Sequence, residues 1–115
     1  MLNFSLTEEQ KTLKETIRKF AEKEIRPIAK EVDNKPDPRT SFPRELVKKA
    51  NKLGFGKLLI PAEYGGYGGS LLDYSILMEE LAYGDAGIAM VFMGHNSLAR
   101  IIAVLGDEEQ KERWL

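Results

Sequence analysis

A chain of 115 residues that is 43% apolar and 30% charged can bury one core and is too short for two domains of ordinary size. Its 17 basic residues offset 18 acidic ones, so no net field draws it to nucleic acid or to an anionic membrane surface. It has no cysteine, which excludes disulfides, thiolate nucleophiles and cysteine-ligated metal centres and fits a cytoplasmic setting.

The opening Met1-Leu2-Asn3-Phe4-Ser5-Leu6 has neither the basic start nor the apolar run of a signal peptide. Thr7 and Gln10 stand at the spacing of a capping box, in which each side chain satisfies a backbone donor at a helix start. Leu13, Ile17, Phe20, Ala21, Ile25, Ile28 and Val32 then recur at intervals of three and four, the apolar stripe of a first helix. Glu15 with Lys19 and Glu22 with Arg26 are spaced to pair on its wet side. Pro27 falls inside the stripe and predicts a kink. Residues 33–41, with Pro36 and Pro38, read as a loop.

Pro43 opens a second helix that runs to about Leu53, with Gly54 as its left-handed end. An apolar connector, residues 55–60, leads into the glycine-rich loop Pro61-Ala62-Glu63-Tyr64-Gly65-Gly66-Tyr67-Gly68-Gly69. Ser70 and Asp73 cap a third helix that ends near Tyr83-Gly84-Asp85. A fourth runs from Ala86 to Leu105 and stops at Gly106, and Asp107 with Gln110 opens a fifth. The fourth is apolar enough to raise the question of a membrane span. Arg100 near its middle would cost about 2.5–3.5 kcal/mol on insertion, so a buried helix is the better reading. No alternating strand, repeat or low-complexity tract interrupts the pattern. The fold class is therefore all-α, an up-and-down bundle of four to five helices with the glycine-rich loop between the second and third.

A helix that is apolar nearly all round needs cover on all sides, and three modest partners leave part of it bare. The fifth helix ends after two turns without a cap. Both features point to cover supplied by a continuation or a docked partner.

Each candidate site has an ordinary structural explanation. The loop glycines could cradle a phosphate, yet the P-loop lysine and the preceding strand of a dinucleotide site are missing, so a structural turn is expected. His95 stands alone and completes neither a metal nor an acid–base site, so a packing or solvent-facing role is expected. Glu79 and Glu80 point about 100° apart on a helix and are assigned to a solvated face. Arg44, Lys48 and Lys52 form a basic row without aromatic partners, so no nucleic-acid role is assigned. Met90, Phe92 and Met93 suit either a core or the wall of an alkyl pocket.

The segments Phe4-Ser5-Leu6-Thr7-Glu8-Glu9-Gln10, Ile25-Arg26-Pro27-Ile28-Ala29, Leu53-Gly54-Phe55-Gly56, residues 60–69, Glu79-Glu80-Leu81-Ala82-Tyr83-Gly84-Asp85 and Gly106-Asp107-Glu108-Glu109-Gln110-Lys111 follow one another as in acyl-CoA dehydrogenases. Taken in order over nearly the whole chain, they resemble that family's N-terminal helical domain, residues 1–115. The resemblance implies an FAD enzyme that oxidises an acyl-CoA and passes electrons to an electron-transferring flavoprotein, working as a homo-oligomer. It also implies a middle β-domain and a C-terminal helical bundle that supply the catalytic glutamate and the main flavin contacts. Neither lies within this sequence, so no catalytic, cofactor-binding or metal-binding residue is assigned here, and the chain alone is expected to be inactive. By matching position, the fourth helix lines the far end of the acyl pocket, with Ala89, Met90, Met93 and Leu98 as tail contacts. The alternative is a stand-alone helical interaction module that kept the fold without the chemistry.

Overall fold

The computed structural model describes residues 2–115, and among them every regular element is helical. The first is α1 (Glu8–Phe20), and its capping box forms as expected. The Gln10 N–H donates to Thr7 Oγ1 at 3.1 Å, and the Thr7 N–H donates to Gln10 Oε1 at 3.0 Å. Pro27 has no N–H to give, and its ring crowds the carbonyl of the preceding turn. The backbone answers by widening into a π-turn, Ala21–Ile25, and α2 (Arg26–Asp33) follows without a break. The expected kink therefore takes the form of a π-turn.

A single 3-10 turn, Pro38–Thr40, punctuates the connection to α3 (Arg44–Lys52). Gly54 follows α3 with φ of 86°, the left-handed conformation that residues with a Cβ resist. Beyond the glycine-rich loop come α4 (Leu71–Gly84), α5 (Ala86–Leu105) and α6 (Glu108–Trp114). Ser70 with Asp73 and Asp107 with Gln110 form the two remaining capping boxes. The Ser70 backbone N–H, donated to the Asp73 carboxylate, holds that carboxyl below the ordinary aspartate range. Asp85 caps α5, its carboxylate accepting from the Ile88 N–H at 2.8 Å.

The core lies where α1, the π-turn, α4 and the first half of α5 meet. Ile17, Ala21, Ile25, Leu77 and Leu81 are at most 1% exposed, and Phe92 fills the space beneath α5. Phe20 meets Phe55 edge to face at 5.2 Å, which joins α1 to the connector after α3. At the end of α4, a Cβ on Gly84 would lie 2.7 Å from Ile25 Cγ2, so only glycine lets α4 close onto the π-turn.

Glu80 departs from expectation. Glu79 is exposed as assigned, but Glu80 is 1% exposed and faces α1. A carboxylate taken out of water needs a cation and hydrogen bonds. The Arg18 guanidinium supplies both, through Nε to one oxygen and through an amino group 3.4 Å from the other, with Lys14 Nζ at 4.0 Å. The same guanidinium lies 3.5 Å from the centre of the Tyr83 ring, and Arg26 lies 3.9 Å from it. Arg26 also donates to the Tyr83 carbonyl at 3.2 Å. The expected Glu22–Arg26 and Glu15–Lys19 pairs are therefore not among the ion pairs of the described residues.

The structure covers α5 on one face only. Ile88, Ala89, Phe92, Asn96 and Ala99 are buried, whereas Met90, Leu98, Ile101, Val104 and Leu105 are exposed. By length and composition α5 could cross a membrane, and 28% of its apolar window is buried within the chain.

Removing one partner of the Glu80 pair should show its weight. Glu80→Ala is expected to lower stability by about 2 kcal/mol, below the usual range for a broken buried pair because the stranded guanidinium can turn to water. Chemical denaturation of the Glu80→Met, Arg18→Met and double variants should show the double costing less than the two singles added. Strict additivity would mean that the two side chains act independently.

Candidate functional site

The four residues expected to touch an acyl tail all lie on α5, and burial separates them. Ala89 is 2% exposed and faces the core. Met90 is 55% exposed, and Met93, one turn further on, is half-buried. About 60° apart around the axis, these two share one flank of the helix. Leu98 lies about 140° from Met93 in the same projection and belongs to the other flank. There it is 63% exposed beside His95, Ile102 and Trp114 in a groove of about 350 Å³. The structure thus brings Met90 and Met93 together, sets Ala89 behind them and places Leu98 in a separate groove.

Gly94 lies between Met90 and Leu98 around the helix, about 40° from each, and a Cβ built there would meet nothing within 4 Å. Two unbranched thioethers beside an open helix surface make a soft apolar wall that can take up contents of varying length.

His95 is exposed, and the space for its ring comes from Gly56. A Cβ on Gly56 would lie 3.1 Å from His95 Nε2 and 2.7 Å from Asn51 Oδ1. The exposed imidazole packs over a glycine, within the expected packing or solvent-facing role. No group of three or more metal-ligating side chains occurs among the described residues. The neighbouring Asn96 is fully buried, a position its polarity did not announce. Its Nδ2 donates to the Phe92 carbonyl at 2.9 Å and to the Phe55 carbonyl at 3.1 Å, stapling α5 to the connector.

Residues 65–69 of the glycine-rich loop have no backbone donor free for a phosphate. The N–H groups of Gly65, Gly66, Tyr67, Gly68 and Gly69 donate to the carbonyls of Ala62, Pro61, Lys57, Ile60 and Leu58, in that order, at 2.7 to 3.1 Å. A Cβ on Gly66 would lie 2.0 Å from the Ile60 carbonyl oxygen, which explains glycine at that position. The loop is a structural turn, and it does not fit the pyrophosphate of a flavin dinucleotide. It is also latched to α6, because the Tyr64 hydroxyl donates to Glu108 Oε2 at 2.8 Å. That bond pushes the Tyr64 hydroxyl up to about 12 and holds the Glu108 carboxyl below its ordinary value.

Over residues 7–115 the chain matches the family described as acyl-CoA dehydrogenase, N-terminal domain. The short-chain specific acyl-CoA dehydrogenase of Clostridium acetobutylicum is 39% identical to it over 115 residues, which are 99% of this chain and 29% of that protein. The mitochondrial short-chain specific enzyme of Bos taurus is 40% identical over 111 residues, 96% of this chain and 26% of that protein. A chain in a solved structure described as the electron transferring flavoprotein of Acidaminococcus fermentans, concerned with flavin-based electron bifurcation, superimposes with a TM-score of 0.86. It is 36% identical, and the match covers 99% of this chain and 29% of that one. The chain thus spans between a quarter and a third of the length of the relatives it matches.

The Tyr64–Glu108 latch has a pH signature. A tyrosine whose folded value is raised contributes stability that is complete below its ordinary value of 10 and is lost as pH rises to about 12. An ultraviolet tyrosinate titration should contain a component centred near pH 12 that Tyr64→Phe removes and that Glu108→Gln moves downward. Survival of that component in Tyr64→Phe would assign it to another tyrosine.

Proposed function

The chain belongs to the acyl-CoA dehydrogenase family through its N-terminal domain, and from that premise we propose that it serves as the helical N-terminal part of an FAD-dependent enzyme that dehydrogenates an acyl-CoA thioester between Cα and Cβ. The observation that carries this reading is the match over residues 7–115 to a domain of enzymes that share between 36% and 40% of its residues. In this reading a β-domain and a C-terminal helical bundle supply the base and the flavin contacts, and the 115 residues alone are inactive. Bound by those other domains, FAD would supply the hydride acceptor for the reaction. None of its contacts is assigned to this chain.

The role given to this chain is steric and apolar. Met90 and Met93 border the far end of the acyl tail, Ala89 backs them from the core, and Leu98 extends the apolar surface on the opposite flank. Their side chains carry no charge, so they exclude water and bind by burial, about 0.8 kcal/mol for each CH₂ removed from water. The bare outer face of α5 provides the packing surface for the other domains. The intact enzyme is proposed to be a cytoplasmic homo-oligomer that delivers electrons to an electron-transferring flavoprotein. A flavoprotein of that kind is named in the description of the structure containing the similar chain.

The same bare face favours a second reading, a helical interaction module without chemistry. Flavin content and acyl-CoA-dependent dye reduction, measured on this chain and on the longest product of its locus, separate the two. A yellow, active long product beside a colourless, inactive short one supports the enzyme. Two colourless, inactive proteins favour the module.

Within an active long product, Met93→Trp is expected to lower kcat/KM for long acyl chains about tenfold more than for short ones, because the added ring occupies the tail end of the pocket. An equal loss at every chain length would remove α5 from the pocket.

A further inference from the structure

We propose that Asn96 is a positioning residue: its amide holds α5 at the rotation that turns Met90 and Met93 toward the acyl tail, and thereby sets the discrimination between chain lengths. The proposal rests on the reading given above, which puts those two side chains at the tail end of the pocket.

Among the described residues, one side-chain hydrogen bond runs from α5 to another element, and Asn96 makes it. Its Nδ2 donates to the Phe55 carbonyl at 3.1 Å, across 41 residues of sequence. The second bond of that amide, to the Phe92 carbonyl, stays within the helix and orients the side chain. The other buried residues of α5 are Ile88, Ala89, Phe92 and Ala99. Their packing is apolar and non-directional, and the two alanines offer little relief against a rotation. The far end of the tie is itself held in place. Phe55 is 4% exposed, meets Phe20 edge to face at 5.2 Å and follows Gly54 in its left-handed conformation.

Stability alone does not call for an amide here. Asn96 is 0% exposed, and its Oδ1 accepts from no group among the described residues. Leucine has the same branch point without a polar atom to satisfy, and burial would favour it. A buried amide in an apolar interface fixes register at a cost in stability, as an asparagine does in the seam of a coiled coil. What it contributes to α5 is orientation. Counted around the axis from Asn96, Met93 lies about 60° away and Met90 about 120°, both toward the same side. A turn of about 20° would swing side-chain ends, some 5–6 Å from the axis, by about 2 Å. That displacement exceeds what one methylene adds to an acyl chain, so a loosened rotation would blur the end of the pocket.

The test is a chain-length series of acyl-CoA substrates on the long, flavin-loaded product of the locus, comparing Asn96→Leu, Asn96→Ser and Met93→Trp with the unsubstituted enzyme. Asn96→Leu keeps the bulk and loses both bonds. Asn96→Ser can still bond to the Phe92 carbonyl one turn back but is too short to reach Phe55. Both should shrink the ratio of kcat/KM between the best and the poorest acyl length about tenfold, the discrimination of one methylene. A purely structural role would lower kcat/KM by the same factor at every length. Such a uniform loss, beside a Met93→Trp variant that does discriminate by length, would overturn the proposal and leave the pocket reading standing. If one Asn96 variant fails to accumulate as holoenzyme, the other decides. Collapse of both would make Asn96 a residue of the fold and not of the rotation, and would also overturn the proposal. An inactive long product, or an equal loss at all lengths in Met93→Trp, would instead remove the pocket reading, and the proposal with it.

Discussion

Burying a carboxylate leaves a helix few ways to dock. With Glu80 1% exposed on the inner side of α4, α1 can approach only in the register that brings Arg18 to it. Apolar contacts around this pair would tolerate a slip of one turn at modest cost, but a stranded charge would not. The guanidinium also covers one face of Tyr83, so the last turn of α4 is placed by the same side chain. Arg26, from beyond the π-turn, takes up the same ring. A single buried charge thereby fixes where α1, the π-turn and α4 meet, and this corner forms one side of the core over which the first half of α5 lies.

Most element boundaries could be read because they rest on local chemistry. Thr7 with Gln10, Ser70 with Asp73, and Asp107 with Gln110 announce three helix starts, and all three form reciprocal caps. Gly54 announces the left-handed end after α3. Long-range partners were harder to read. Glu80 stands next to Glu79 in a charged-looking pair, although Ile76, Leu77 and Leu81 place its phase on the apolar side of α4. Weighing that phase above the charge would have found it. The Glu22–Arg26 spacing suits an ordinary surface pair, but Tyr83 lies 57 residues away and offers Arg26 both a ring and a carbonyl.

The α5 residues show a similar limit. Sequence position names Ala89, Met90, Met93 and Leu98 as one set, while the helical period distributes them over the core, one flank and the opposite flank. The expectation that α5 would be left partly bare was legible, because an all-apolar helix with few partners cannot be covered on every side. The direction of the bare face was not, since it depends on where Phe55, 41 residues away, offers its carbonyl to Asn96.

The π-turn gives this corner a length constraint that substitution alone does not reveal. Each π hydrogen bond spans one residue more than an α-helical one, so the segment Ala21–Ile25 amounts to an insertion of one residue in a straight helix. A homologous chain one residue shorter here would keep every side chain of α1 and α2 and still lose the arrangement. Everything after the turn would rotate by about 100°, carrying Arg26 off the ring of Tyr83 and Ile28 off the core. Along this stretch the count of residues between Arg18 and Arg26 is as much a part of the structure as their identity.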